Sequence, residues 1–220
     1  MATVLYPEVN EIADALDRSV RLKIGIMNAL DTILTFISCE GRWMYTKRQQ
    51  ALGSSDCLIT NILVIFLTER SNPRCCLKVL ETVRKLCHYN SNDRYSGNVE
   101  NIKKLVASGA CSMVVMILRL YVAEAIAAVS TYKWILRGLS EKYSGIDDCV
   151  KGEIGQFLYD EKINMEIAQY GCDVIRILGW CNTANTSFLV AAGACEAVVG
   201  AIQIHYTSSS FIVEGCEVRQ

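Results

Sequence analysis

The chain has 220 residues, of which 51% are hydrophobic and 20% are charged, and this composition excludes a disordered or fibrous protein. The formal net charge of -1 argues against a globally basic nucleic-acid-binding protein, so we expect no nucleic-acid partner. The length suffices to bury a sizeable core, and a content of only two prolines suits long helices.

The first 41 residues predict a pair of capping helices. Apolar residues recur at helical spacing over residues 8–17, and a broader apolar stripe over residues 18–38 predicts that the chain continues as a second, longer helix. We expect Gly25 to lie within this second helix, where a close helix contact would explain it. Gly41 is the predicted stop signal.

After this cap, one order of helices returns four times: a short first helix, an apolar second helix and a long amphipathic third helix. The predicted rounds span residues 42–97, 98–142, 143–182 and 183–220. The third round is degenerate, and its three helices are predicted over residues 145–150, 153–159 and 164–180.

One stretch is written twice in these rounds. Asn101 to Cys111 reads NIKKLVASGAC, and Asn185 to Cys195 reads NTSFLVAAGAC. The copies start at residues 101 and 185, so their separation is about twice the roughly 40–47 residues of a helical solenoid repeat. In the first round, Ser55-Asp56-Cys57 stands where Gly-Ala-Cys would fall.

With Leu105-Val-Ala-Ser-Gly-Ala and Leu189-Val-Ala-Ala-Gly-Ala, the chain resembles the armadillo repeat family, in which a short first helix ends in Leu-x-x-x-Gly-Ala. Gly171-Cys172 and Gly215-Cys216 are similar to a Gly-Cys pair that many members carry on the third helix. The resemblance implies an all-α, right-handed superhelix, an armadillo-like solenoid of about four three-helix repeats. It also implies that the third helices line a concave groove that binds other proteins.

Candidate protein-binding residues lie on the predicted third helices. They are Lys78, Glu81, Lys85, Lys133, Trp134, Arg137 and Arg176. The cations among them would attract an acidic protein segment, although a solvated helix face is the simpler interpretation. Trp134 is more simply explained as an aromatic residue packed between repeats.

The groove lacks the asparagine ladder with which armadillo import receptors hold an extended peptide. The equivalent positions are Thr32, Lys85, Gly138 and Ile177. This departure favours a fixed structural subunit over a receptor for transient peptides.

Eleven cysteines, most of them in apolar runs, predict reduced core thiols in a cytosolic protein rather than a disulfide framework. The two histidines and the absence of any CxxC pair give no structural-zinc spacing, so we expect neither a metal nor another cofactor. No glycine-rich phosphate loop and no readable pair of nucleophile and base are present. We therefore expect a protein that is not an enzyme and has no small-molecule substrate.

These patterns predict a non-catalytic protein–protein interaction scaffold, or a fixed structural subunit of a larger eukaryotic assembly. The alternative is an adaptor that captures an acidic peptide in a basic concave groove. A cytoplasmic location is expected, with the cytoskeleton or a cilium as one such setting. The apolar runs are too short to cross a bilayer, so we expect no membrane insertion.

Overall fold

The structure is a computed structural model, and it describes residues 7–38, 42–87, 98–123, 148–179 and 183–205. These residues form ten helices and no strand, which confirms the predicted all-α class. The helices are α1 (Pro7–Leu22), α2 (Ile26–Ser38), α3 (Arg42–Ser54), α4 (Asp56–Thr68), α5 (Pro73–Cys87), α6 (Asn98–Ala107), α7 (Ala110–Ala123), α8 (Asp148–Gly179), α9 (Thr183–Ala192) and α10 (Ala194–His205).

The N-terminal segment breaks within the stretch that was predicted to be one long helix. Lys23 adopts a left-handed φ of 54°, and the Ile24 amide donates to the Ser19 carbonyl at 3.2 Å, which is the Schellman arrangement that ends α1. Gly25 follows with a φ of 70°, so it belongs to the turn and not to α2. The prediction of a close helix contact at Gly25 is wrong, because the nearest atom to an added Cβ would be the Ser19 Oγ at 3.8 Å.

Three pairs of short first and apolar second helices bend sharply at their junctions. The bend is 79° between α3 and α4, 74° between α6 and α7, and 66° between α9 and α10. Gly109 and Gly193 make the last two bends with φ values of 93° and 84°, which only glycine adopts readily. Ser55 makes the first bend in an extended conformation, and its Oγ accepts from the Leu58 amide at 3.3 Å as an N-cap.

The asparagine that opens each copy of the repeated stretch is buried and ties two helices together. The Asn101 Nδ2 donates to the carbonyls of Gln49 at 2.9 Å and Leu86 at 3.0 Å. The Asn185 Nδ2 donates to the carbonyl of Leu178 at 2.9 Å. Because Leu86 and Leu178 lie in the last turns of α5 and α8, both bonds satisfy a carbonyl that a helix end leaves without a partner.

Residues 148–179 form the single helix α8, where the sequence predicted three short helices over residues 145–180. That prediction is wrong because the helix continues through both predicted breaks, one at Gly152 and one over residues 160–163. A glycine inside a helix costs only about 1 kcal/mol relative to alanine, and no proline interrupts this stretch. A helix of 32 residues can absorb that cost once it packs on a neighbour.

The core continues from the N-terminal helices into α5 and α8. α1 packs on α2 and α4, and α5 packs on both α2 and α8. Among the fully buried side chains are Leu16, Leu30, Leu80, Val83 and Leu178. Each such side chain contributes about 1.5–3 kcal/mol through removal from water, so this packing supplies the main driving force that places α5 beside α8.

Candidate protein-binding surface

The predicted groove residues that the structure describes lie on two packed helices. Lys78, Glu81 and Lys85 are on α5, and Arg176 is on α8. Helices α5 and α8 pack against each other, so the structure brings these residues to one place, which we call the α5–α8 seam. The remaining candidates, Lys133, Trp134 and Arg137, lie outside the described residues.

Lys78 is held by acidic groups of the chain itself. Its Nζ lies 2.6 Å from the Asp31 Oδ1 on α2 and 3.6 Å from the Glu81 Oε2 on α5. The hydrogen bond to Asp31 raises the pKa of the Lys78 ammonium above its usual value, against the opposing effect of burial. Lys78 therefore links α2 to α5 with its charge compensated.

A second ion pair joins α5 to α8 at the seam. The Asp173 carboxylate, whose residue is only 7% exposed, accepts from Arg84 at 3.4 Å and from Arg176 at 2.5 Å. The Arg84 guanidinium also lies over the Tyr170 ring at 4.7 Å from its centroid, within the range of a cation–π contact. Burial raises the pKa of the Tyr170 hydroxyl, so it stays neutral beside these charges.

Three residues that complete this network, Asp31, Arg84 and Asp173, were not among the candidates predicted from the sequence. Asp173 stands three positions before Arg176 on one helix, a spacing that signals an ion pair. Asp31 and Arg84 gave no such signal, because their partners come from other helices. With Asp31, Glu81 and Asp173 included, the seam is close to neutral, which reduces its attraction for an acidic segment.

The buried thiols lie in conditions that suppress nucleophilic chemistry. Burial raises the pKa of Cys75 to about 12 and that of Cys111 to about 11, and it raises the pKa of Cys87 further. Such thiols stay protonated at neutral pH and react weakly. Cys57 and Cys195 are exposed, whereas five other cysteines are buried, as expected of core thiols: Cys75, Cys76, Cys87, Cys111 and Cys172.

No group of three or more His, Cys, Asp or Glu side chains in the described ranges is placed to hold a metal ion. The same ranges contain no single helix long and apolar enough to cross a bilayer. The three bent helix pairs do meet the criteria of length and composition for a broken span.

Helix α9 exposes apolar side chains at two positions whose counterparts in α6 are half-buried, although Val99 near the start of α6 is also 56% exposed. Phe188 is 62% exposed and Val190 is 56% exposed on α9. The matching positions of the first copy, Lys104 and Val106, are half-buried, because α6 packs on α3 and the Lys104 ammonium reaches the Asp56 carboxylate at 2.9 Å. Phe188 and Val190 lie on opposite sides of the buried Leu189, and the α9 surface that they form is here called the α9 patch. Among the described helices, α9 packs on α8 and α10, and none covers it as α3 covers α6.

Comparison with known proteins adds no identification, because no protein-family model, no curated protein and no solved structure matches this chain.

Proposed function

We propose that the chain is an armadillo-like α-solenoid of about four three-helix repeats behind an N-terminal cap, and that it acts as a non-catalytic scaffold or fixed subunit of a larger eukaryotic assembly. Three sharply bent helix pairs and the two buried asparagines of the repeated stretch support the repeat architecture. The proposal includes neither a cofactor nor a small-molecule substrate.

The observation that carries this proposal is the α9 patch. Phe188 and Val190 are both more than half exposed, on either side of the buried Leu189, and packing against another protein would remove these side chains from water. The first copy shows what such a helix contacts when it is covered, since α3 packs along α6. We infer that a partner protein packs on α9 in a similar way.

Affinity purification from the native cell with cross-linking tests this proposal. Phe188→Asp replaces the larger of the two exposed apolar side chains of α9 with a carboxylate, and we expect it to reduce recovery of the cross-linked partner at least about tenfold, as loss of one interface hot spot does. Leu22→Asp is the matched control, because Leu22 is 68% exposed on α1 and belongs to a different surface.

Helical content measured by circular dichroism should be the same for both variants, because both side chains are exposed. If Phe188→Asp keeps its partner, or if both variants lose it equally, the α9 patch is not the binding surface. Cross-links mapped by mass spectrometry would then show which face is used instead.

A second candidate is the adaptor that captures an acidic peptide at the α5–α8 seam. The observation in its favour is that Lys78, Arg84, Lys85 and Arg176 come together on two packed helices. We rank this adaptor function below the scaffold function, because Asp31 and Asp173 compensate part of the positive charge at the seam. The Lys85→Glu variant and a salt titration test this candidate. If the seam binds an acidic peptide, charge reversal should abolish binding, and rising salt should weaken it. Binding through an apolar contact at α9 should depend on neither the Lys85 charge nor the salt concentration.

We further propose a cytoplasmic location for the assembly, with the cytoskeleton or a cilium as one setting. The buried, protonated thiols agree with a reducing compartment. Imaging of a tagged full chain in its native cell, beside markers of the secretory pathway, would contradict this location if the two signals coincide.

A further inference from the structure

A cavity opens between the C-terminal end of α4 and the middle of α7. Its volume is about 250 Å³, and its walls are the apolar side chains of Phe66, Met116, Ile117 and Leu120. Arg70 and Ser71, which follow the end of α4, form a polar edge on one side. The cavity thus combines an apolar interior with one cationic side chain at its rim.

The rim is fixed by hydrogen bonds from two neighbouring helices. The Tyr121 hydroxyl of α7 donates to the Arg70 carbonyl at 3.1 Å, and the Cys76 thiol of α5 reaches the same carbonyl at 3.6 Å. The Asn72 amide donates to the Glu69 carbonyl at 2.8 Å and closes the turn between α4 and α5. The backbone that carries Arg70 is therefore held before any ligand arrives, which lowers the entropy cost of binding.

The volume of the cavity limits what can occupy it. Pockets for drug-sized ligands usually enclose about 300–1,000 Å³, and a cavity of about 150 Å³ holds one benzene molecule. A space of about 250 Å³ fits one large apolar side chain with room to spare and is small for a cofactor. An apolar side chain in this cavity would gain van der Waals contacts with the apolar atoms of its walls.

The charge at the rim selects for an anion beside that side chain. The Arg70 side chain is exposed, and it forms no ion pair within the part of the chain that the structure describes. The first turn of α5, which begins two residues after the rim residue Ser71, contains Arg74 and no acid, and the neutral side chain of Asn72 caps it by accepting from the Cys75 amide at 3.2 Å. In the sequence of this turn, the two cations Arg70 and Arg74 outnumber the one acid, Glu69.

We propose that this α4–α7 cavity is a docking site for a partner protein segment that inserts one large apolar side chain and places an adjacent Asp or Glu on Arg70. The site lies on second helices, apart from both the α9 patch and the α5–α8 seam. The proposal goes beyond the scaffold function proposed above and does not depend on the α9 patch.

Selection of random twelve-residue peptides displayed on phage, with the full chain as bait, tests the docking site. We expect the enriched peptides to share a large apolar residue beside Asp or Glu. Synthetic copies of these peptides should bind the Arg70→Glu and Met116→Trp variants at least about tenfold more weakly than the wild-type chain, because the first variant reverses the rim charge and the second fills the cavity.

Two controls separate this site from general effects. Lys103→Glu changes the net charge by the same amount as Arg70→Glu at an exposed position on α6, and it should leave the affinity unchanged. Phe188→Asp should do the same, so that a failure of the α9 patch and a failure of the cavity remain distinguishable. Arg70→Glu changes an exposed side chain, so it reports on binding even if Met116→Trp perturbs the fold.

Three results would overturn the proposal. The first is the absence of enrichment, or a consensus without the apolar and acidic pair. The second is equal affinity of the peptides for the Arg70→Glu variant and the wild-type chain. The third is an equal loss in the Lys103→Glu variant, which would show that net charge and not the cavity rim attracts the peptides.

Discussion

A close approach between α3 and α6, where Gly53 lies against Asn101, yields a sharp stability prediction. A Cβ added at Gly53 would overlap the side-chain amide of Asn101. That amide cannot move aside freely, because Asn101 is 2% exposed and its Nδ2 donates to the carbonyls of Gln49 and Leu86. We therefore expect Gly53→Ala to destabilise the fold, although alanine favours a helix by about 1 kcal/mol over glycine.

The magnitude follows from the two hydrogen bonds. Each contributes about 0.5–1.5 kcal/mol, so Asn101→Ala should lower the free energy of unfolding by about 1–3 kcal/mol. Gly53→Ala alone should cost a similar amount, less the gain in helix propensity. In the double variant, the methyl group added at Gly53 would occupy the space that the asparagine leaves. The loss in free energy of unfolding should therefore be about 1–3 kcal/mol smaller than the sum of the losses in the two single variants.

Urea denaturation of the wild-type chain and the three variants, followed by circular dichroism at one temperature, measures all four free energies. Gly200→Ala on α10 is the comparison for the glycine effect, because its added Cβ would meet only the Val122 Cγ1 at 3.2 Å. The reasoning fails if Gly53→Ala is neutral or stabilising. It also fails if the two single changes add within about 0.5 kcal/mol, the usual error for independent sites.

Three further predictions concern local backbone and charge. Lys23→Gly should raise the free energy of unfolding by about 1 kcal/mol in the same urea assay, because it removes the strain of a left-handed lysine, and an unchanged midpoint would contradict this. Gly193→Asn should lower the free energy of unfolding by about 0.5–1.5 kcal/mol more than Gly109→Asn does. A Cβ added at Gly193 would overlap the Arg119 guanidinium, which donates to the Gly193 carbonyl, whereas a Cβ added at Gly109 would meet no atom within 4 Å. Burial lowers the pKa of His205 below 6.5, so near this pH the unfolded chain binds more protons than the folded chain. The wild-type chain should therefore lose stability as the pH falls through 6.5. In thermal melts across this range, the His205→Gln variant should show a shallower loss.

The sequence predicted most of the helices, because their signals are local. The predicted order of a short first helix and an apolar second helix is present in the first, second and fourth predicted rounds, as α3–α4, α6–α7 and α9–α10. Gly109 and Gly193, which belong to the repeated stretch, lie at two of the bends, since glycine suits a left-handed residue between two helices. Both features depend on a few neighbouring residues.

What the sequence could not predict depends on partners that are distant in the chain. Asp31 reaches Lys78 and Asp173 reaches Arg84 only because three helices pack together, so the charge of the α5–α8 seam was overestimated. The turn at Lys23 was missed because a lysine seldom ends a helix in the left-handed conformation. The cavity beside Phe66 depends on how α4 meets α7, which no periodicity reports.

The contact between α5 and α8 has a consequence for the order in which the chain folds. Contacts in a simple repeat array join neighbouring units, so such an array can fold from one end and unravel from either. Here Arg84 and Asp173 meet across a separation of 89 positions, and the loop entropy of that closure must be overcome before the contact gains anything. The bent pairs should therefore form early and the seam late. Once it is formed, the seam joins α5 to α8, so we expect these two helices to melt together.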